Sequence, residues 1–120
     1  MKTGGLDIGT SGCKLTVFNE NGERLGQAYR DYPARRRTGA HEIDVAALMD
    51  GVWAVIGETA ARFPDLGGIG VTSFGEAFVM TDGHGEPLRP AMLYTDPRGR
   101  EECRRCANGW ENRQSPGSQD

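Results

Sequence analysis

The sequence predicts an α/β domain built on a mixed sheet in β-β-β-α-β order, and three observations predict it. Leu6-Asp7-Ile8 and Lys14 to Phe18 are strand-like runs set against each other across Gly9-Thr10-Ser11-Gly12. Val45, Leu48, Met49, Val52, Trp53, Ile56 and Ala60 recur at helical spacing. Gly68 to Phe74 is then an apolar run of strand length, and a helix crossover returns such a strand to the sheet.

Each element follows from its local chemistry. Asn19-Glu20-Asn21-Gly22 puts asparagine and glycine where a turn needs positive φ, so Leu25 to Tyr32 continues the meander as a third strand. Asp44 is a fitting N-cap for the helix, which must stop near Phe63 because Pro64 cannot continue it. Gly51 and Gly57 each cost that helix about 1 kcal/mol relative to alanine, so its apolar stripe must compensate by packing. The Gly68 to Phe74 run reads as a buried strand. Phe78 to Met80 and Leu88 to Tyr94 flank a turn-rich stretch and suggest a smaller hairpin or extended arm. A short helix is expected after Pro97 through Cys106, closing a domain over residues 1–106. From Ala107 onward the polar residues 107–120 have little to bury and are expected to fray.

Composition excludes several classes of function. A chain of 120 residues forms one compact domain and cannot easily house two lobes. A net charge of −3 and a pI near 5.4 argue against nucleic acid as a partner, because non-specific binding needs a cationic excess that displaces counterions. Arg35-Arg36-Arg37 is the one concentrated basic run and reads as a solvated loop. No apolar run is long enough to cross a bilayer and the N-terminus lacks a signal-like core, so a cytoplasmic protein without membrane contact is expected. Cys103 and Cys106 form a single Cys-x-x-Cys without a second ligand pair, and they read as small apolar residues on a helix.

The elbow at residues 9–12 carries the main functional signal. Two glycines permit positive φ and inward-turned N–H groups, while Thr10, Ser11 and Lys14 add donors and a positive charge, a composition that suits a phosphate cradle. Asp7 at the end of the first run would be repelled by phosphate unless a divalent cation intervened, so it points to Mg²⁺. The same residues also suit a plain tight hairpin. Glu76 follows the fourth strand directly, at the edge where open α/β sheets collect ligands. Tyr94, Asp96 and Arg98 alternate an aromatic face, a carboxylate and a guanidinium, which suits a polyhydroxylated ligand. A solvated turn at Glu76 and a surface ion pair between Asp96 and Arg98 are the alternatives.

Taken in order, these segments resemble the N-terminal part of an FGGY-family carbohydrate kinase over residues 3–106. Asp7-Ile8-Gly9-Thr10-Ser11 with Lys14 resembles the family's first phosphate-binding hairpin, and His41-Glu42-Ile43-Asp44 its Glu-x-Asp entry to the first long helix. Ile69 to Ser73 resembles the strand leading to the sugar site. Gly-Glu-Pro-Leu-Arg-Pro at 85–90 resembles the segment before an aromatic-x-Asp-x-Arg motif, here Tyr94, Asp96 and Arg98. Two departures stand out: Phe74-Gly75-Glu76 replaces the family's Gln-Met-His-Gly or Arg-Glu, and Tyr94 replaces the usual tryptophan.

The resemblance implies an RNase H-like domain of the actin, Hsp70 and sugar kinase superfamily. It implies that Asp7, Gly9, Thr10, Ser11 and Lys14 face the phosphates of ATP and Mg²⁺, with Asp7 toward the metal. Glu76, Asp96 and Arg98 would face a sugar or polyol. It further implies a truncated protein: family members carry a second lobe and a later aspartate as general base, and this sequence ends before either. The expected activity is transfer of the γ-phosphate of ATP to a substrate hydroxyl, completed by a C-terminal lobe or second chain. A non-catalytic sugar-binding or assembly module is the alternative, with an actin-type structural protein a third.

Overall fold

The structure, a computed structural model, describes residues 1–114. Its main sheet has strand order β3-β2-β1-β6. β1 (Lys2–Ile8), β2 (Gly12–Phe18) and β3 (Arg24–Asp31) form the expected antiparallel meander, and β6 (Leu66–Ser73) lies parallel to β1. The turn after β2 closes as its residues dictate: the Asn19 side chain accepts from the N–H groups of Asn21 and Glu23, and Gly22 takes φ +78°.

Between β3 and the first helix the chain forms a hairpin, β4 (Ala34–Arg37) and β5 (Ala40–Ile43), turning at Gly39 with φ +83°. The arginine run therefore corrects the expectation of a loop. Arg35, Arg36 and Arg37 are solvent-exposed, as charge demands, but their backbone pairs with Glu42, His41 and Ala40. A two-residue strand, β7 (Ala91–Met92), adds to β5 and completes a second sheet. The segment before it is the expected small hairpin, with Asp82 accepting from His84 and Glu86 and Gly85 at φ +87°.

Helix α1 (Val45–Arg62) starts where Asp44 accepts from the N–H groups of Ala46 and Ala47 at 3.0 and 3.2 Å. It packs across β2 and β3, and its buried face is Gly51, Val52, Val55 and Thr59. This face is rotated from the expected stripe: Trp53 is 63 % exposed, and Met49 and Ala60 are also exposed. The cause is Gly51, whose missing side chain lets the ring of Tyr32 approach; a Cβ there would lie 3.2 Å from that ring. Leu6, Leu15, Ile43, Val55 and Leu93 fill the core between helix and sheets.

β6 corrects a second expectation, because it is exposed along nearly its whole length rather than buried. Val71 pairs in register with buried Leu6 yet is 65 % exposed. The physical reason is lateral: α1 spans β2 and β3 and stops short of β6. Glu58, on the Gly51 side of the helix, pairs with Arg30 of β3 at 2.9 Å. The apolar side chains of Ile69 and Val71 on β6 are thereby left open to solvent.

Helix α2 (Arg100–Gln114) runs past Cys106, so residues 107–114 are helical where fraying was expected; 115–120 lie outside the described residues. Among the described residues no helix is long and apolar enough to cross a membrane.

The two helical glycines of α1 separate propensity from packing. Gly57 is exposed and an added Cβ meets nothing within 4 Å, so Gly57→Ala is expected to raise stability by about 0.5–1 kcal/mol in urea denaturation. Gly51→Ala should show less gain or a net loss, because the new methyl meets Tyr32.

Candidate functional site

The elbow between β1 and β2 is held by the elements around it. Gly9 N–H donates to the Gly12 carbonyl at 2.9 Å, and Tyr32 donates its hydroxyl to the Gly9 carbonyl at 2.6 Å and its N–H to Ser11 at 3.1 Å. Phe74 N–H, just beyond β6, donates to the Ile8 carbonyl at 2.9 Å. Its glycines serve close approach and do not use positive φ, which corrects the expected reason for them. A Cβ on Gly9 would lie 3.1 Å from the Gly12 carbonyl, and one on Gly12 would lie 2.6 Å from the carbonyl of Arg30. Among the described residues, Thr10 and Ser11 side chains make no intramolecular hydrogen bond, which leaves both hydroxyls available.

Asp7 and Lys14 are register partners on the sheet face opposite α1, 3.6 Å apart and both about half exposed. With Gly5, Thr16, Gly70 and Thr72 they line a shallow groove of about 560 Å³. Gly5 and Gly70 keep its floor low: an added Cβ on Gly5 meets nothing within 4 Å. Thr16 and Thr72 carry no obvious sequence signal, and only the strand register brings them beside Lys14 and Asp7.

Tyr32 was missed as a site residue, since one tyrosine before a proline announces nothing. Burial pushes its phenol up to about 12, with nearby Cys13, Tyr29 and Asp7 adding in the same direction. Burial likewise pushes up the Cys13 thiol.

Glu76 is exposed and has φ +58°, the one non-glycine residue at positive φ among the described residues. Backbone held in that region costs energy and is found preferentially at functional sites. The bond from Phe74 to Ile8 sets the start of its loop beside the elbow, at the carboxyl ends of the parallel pair β1 and β6.

Asp96 and Arg98 form a joint. Arg98 donates through Nε to Asp96 Oδ1 at 2.8 Å and through Nη2 to Asp96 Oδ2 at 2.6 Å and Glu42 Oε1 at 2.7 Å. The backbone N–H of Arg98 also reaches Oδ1, and that of His41 reaches Oδ2 at 2.8 Å. The Asp96 side chain is only 2 % exposed. The Arg98 guanidinium holds the Asp96 carboxyl well below the usual carboxylate range, with the backbone donors of Arg98 and His41 helping, and Asp96 and Glu42 raise Arg98 in turn. This is more than a surface ion pair, because it fastens the 93–98 loop to β5. Beside it, Tyr94 presents a ring that is 60 % exposed between buried Leu93 and Thr95, which bonds His41 at 2.8 Å. Glu42 is the other member sequence reasoning left without a role. No hydrogen bond or ion pair joins Glu76 to Asp96 or Arg98 among the described residues.

Among the described residues no group of three His, Cys, Asp or Glu side chains could close around a metal. Asp7 alone offers a hard oxygen ligand at the groove. That donor set fits Mg²⁺, which typically takes one or two carboxylates and completes its octahedron with phosphate oxygens and water.

A fold of this kind, with a phosphate-suited elbow on an open sheet, belongs to the sugar kinases of the actin and Hsp70-like class. A family model for the N-terminal domain of the FGGY family of carbohydrate kinases matches residues 3–116, and the chain belongs to that family. It is 31 % identical over 103 residues to a xylulose kinase of Staphylococcus xylosus, covering 82 % of this chain and 21 % of that one. It is 35 % identical over 101 residues to a glycerol kinase of Methylorubrum extorquens strain PA1, covering 79 % and 20 %. The crystal structure of xylulose kinase from Rhodospirillum rubrum superposes with a TM-score of 0.84 at 27 % identity, over 91 % of this chain and 23 % of that one. The chain thus spans about a fifth of the length of the curated relatives it matches.

Two expectations test this arrangement. Tyr32→Phe removes the donor to the Gly9 carbonyl and should cost about 1 kcal/mol in urea denaturation at neutral pH. The folded phenol ionises later than the unfolded one, so the native protein should lose stability as pH rises from about 10 toward 12, a slope absent in Tyr32→Phe.

Asp96 works in the opposite sense. Its carboxyl stays ionised in the fold below the unfolded value near 4, so its stabilisation is complete at neutral pH and declines as pH falls below about 4. The stability gap between the native protein and Asp96→Asn should accordingly stay level above about pH 5 and narrow below about pH 4.

Proposed function

We propose that this domain is the phosphate-binding and sugar-facing half of an ATP-dependent carbohydrate kinase that transfers the γ-phosphate to a hydroxyl of a sugar or polyol. The observation that carries the reading is the elbow pinned by Tyr32, with the hydroxyls of Thr10 and Ser11 left available and the Asp7–Lys14 pair alongside. Thr10 and Ser11 bind phosphate oxygens through backbone and hydroxyl donors, Gly9 lets the turn close tightly enough to aim them, and Lys14 offsets the phosphate charge. Asp7 holds Mg²⁺, which when bound neutralises charge on the transferred phosphoryl group. Glu76 accepts from substrate hydroxyls at the strand ends, and Asp96 with Arg98 fixes the loop that presents Tyr94 to the sugar's C–H face.

The general base lies outside this sequence on this reading, and a second lobe or chain closes the other side of the cleft. ATP places the activity in the cytoplasm. A second reading, a sugar-binding or assembly module without turnover, is favoured by the exposed apolar side chains Ile69 and Val71 on β6.

Release of ADP with pentuloses, hexoses, gluconate and glycerol, run beside sugar-induced thermal shifts, tests both. Turnover that falls at least ~10²-fold in Asp7→Asn supports the kinase. A thermal shift without turnover, abolished in Glu76→Ala, supports the binding module. Neither turnover nor shift with any of these compounds overturns both readings.

A further inference from the structure

We propose that Cys103 and Cys106 form a redox-responsive dithiol on α2 that closes into an intrahelical disulfide by exchange with a small anionic disulfide. Neither thiol has a role in the kinase reading, and both are free and exposed, whereas Cys13 is buried. From Arg100 to Asn108 every residue is exposed, so nothing among the described residues shields the pair.

Helix geometry supplies proximity. Residues three apart in an α-helix have Cα atoms about 5 Å apart, inside the ~4.4–6.8 Å window of a disulfide. Their Cβ atoms, ~5–6 Å apart in a regular helix, must close by about 1–2 Å. A turn without packing neighbours unwinds locally at little cost, and that local opening lets the pair close.

Charge makes the two thiols unequal. Arg100 lies one turn before Cys103 on the same helix face, whereas Glu102 and Arg104, its sequence neighbours, offset one another to either side, and among the described residues Arg100 is in no ion pair. Arg105 is already paired with Glu101, while Glu102 stands one turn before Cys106. The local field therefore draws an anionic disulfide to Cys103 and away from Cys106.

The exchange balances within these groups. The Cys103 thiolate attacks one sulfur of the small disulfide, whose S–S bond breaks; a mixed disulfide forms and one small thiolate leaves and takes up a proton. The Cys106 thiolate then attacks the Cys103 sulfur and expels the second small thiol. Two protein thiols are oxidised by two electrons, and the small disulfide is reduced to two thiols.

Oxidised glutathione is the anionic probe and hydroxyethyl disulfide the neutral one, with thiol titration, non-reducing gels and intact mass as readouts. In the native chain the free thiols should fall from three to one, with a mass loss of about 2 Da for two hydrogens and no dimer. Cys106→Ser should stop at a mixed disulfide on Cys103 and reach it severalfold faster than Cys103→Ser reaches its counterpart. Arg100→Glu should slow the glutathione reaction severalfold and leave the neutral one unchanged. A stable glutathione adduct on the native chain, a crosslinked dimer, retention of all thiols, or equal rates in the two serine variants would overturn the proposal.

Discussion

The bond from the Tyr32 hydroxyl to the Gly9 carbonyl is the constraint on which the rest depends. Tyr32 sits with its ring against Gly51 of α1 and its hydroxyl and N–H on the elbow, so one side chain ties helix, sheet and turn together. The consequence is directional. Packing between α1 and the sheet fixes the ring, the ring fixes the elbow carbonyls inward, and the elbow's remaining donors are left facing solvent. A phosphate-binding turn gains from that arrangement, because donors positioned in advance cost no reorganisation when the anion arrives.

A second tie runs from Phe74 to Ile8 and brings the loop of Glu76 to the same end of the sheet. The third, Glu42–Arg98–Asp96, is separate from both and locks the small sheet to the segment that carries Tyr94. The site is thus assembled from three pieces, the first and third fastened by backbone and side-chain bonds together and the second by a backbone bond. Asp96 is the clearest case of a residue whose polar capacity is spent on structure: four donors already meet its two oxygens.

Much of this was legible in the residues. The meander, the Asp44 cap and the crossover to β6 follow from local chemistry that tertiary contacts leave unchanged, and the family from the resemblance of several motifs in order. What the sequence hid depended on neighbours. A helical stripe counted from apolar residues places Trp53 inward, because Gly51 and Thr59 add nothing to such a count, yet close approach at Gly51 decides the rotation. An uncharged apolar run such as Gly68 to Phe74 reads as a buried strand, and only the width of the helix layer shows that α1 ends before reaching it. Arg35 to Arg37 reads as loop because charge marks exposure, and exposure is compatible with a strand at an edge. The remote partners of the Asp96–Arg98 pair are His41, which donates to Asp96, and Glu42, which accepts from Arg98, each more than fifty positions away, a distance no local pattern bridges.

The borders of the two sheets are finished differently. β4 ends its sheet in consecutive guanidinium groups, and β3 carries Arg24, Arg30 and Asp31, so a foreign strand approaching either meets charge. β6 offers no such deterrent: Leu66 to Ser73 has neither a charged side chain nor a proline. A polypeptide with one guarded and one unguarded border polymerises, when it does so, from the unguarded side. Edge-to-edge association of this molecule in concentrated solution therefore runs through β6, the same strand that brings Gly70 and Thr72 to the groove.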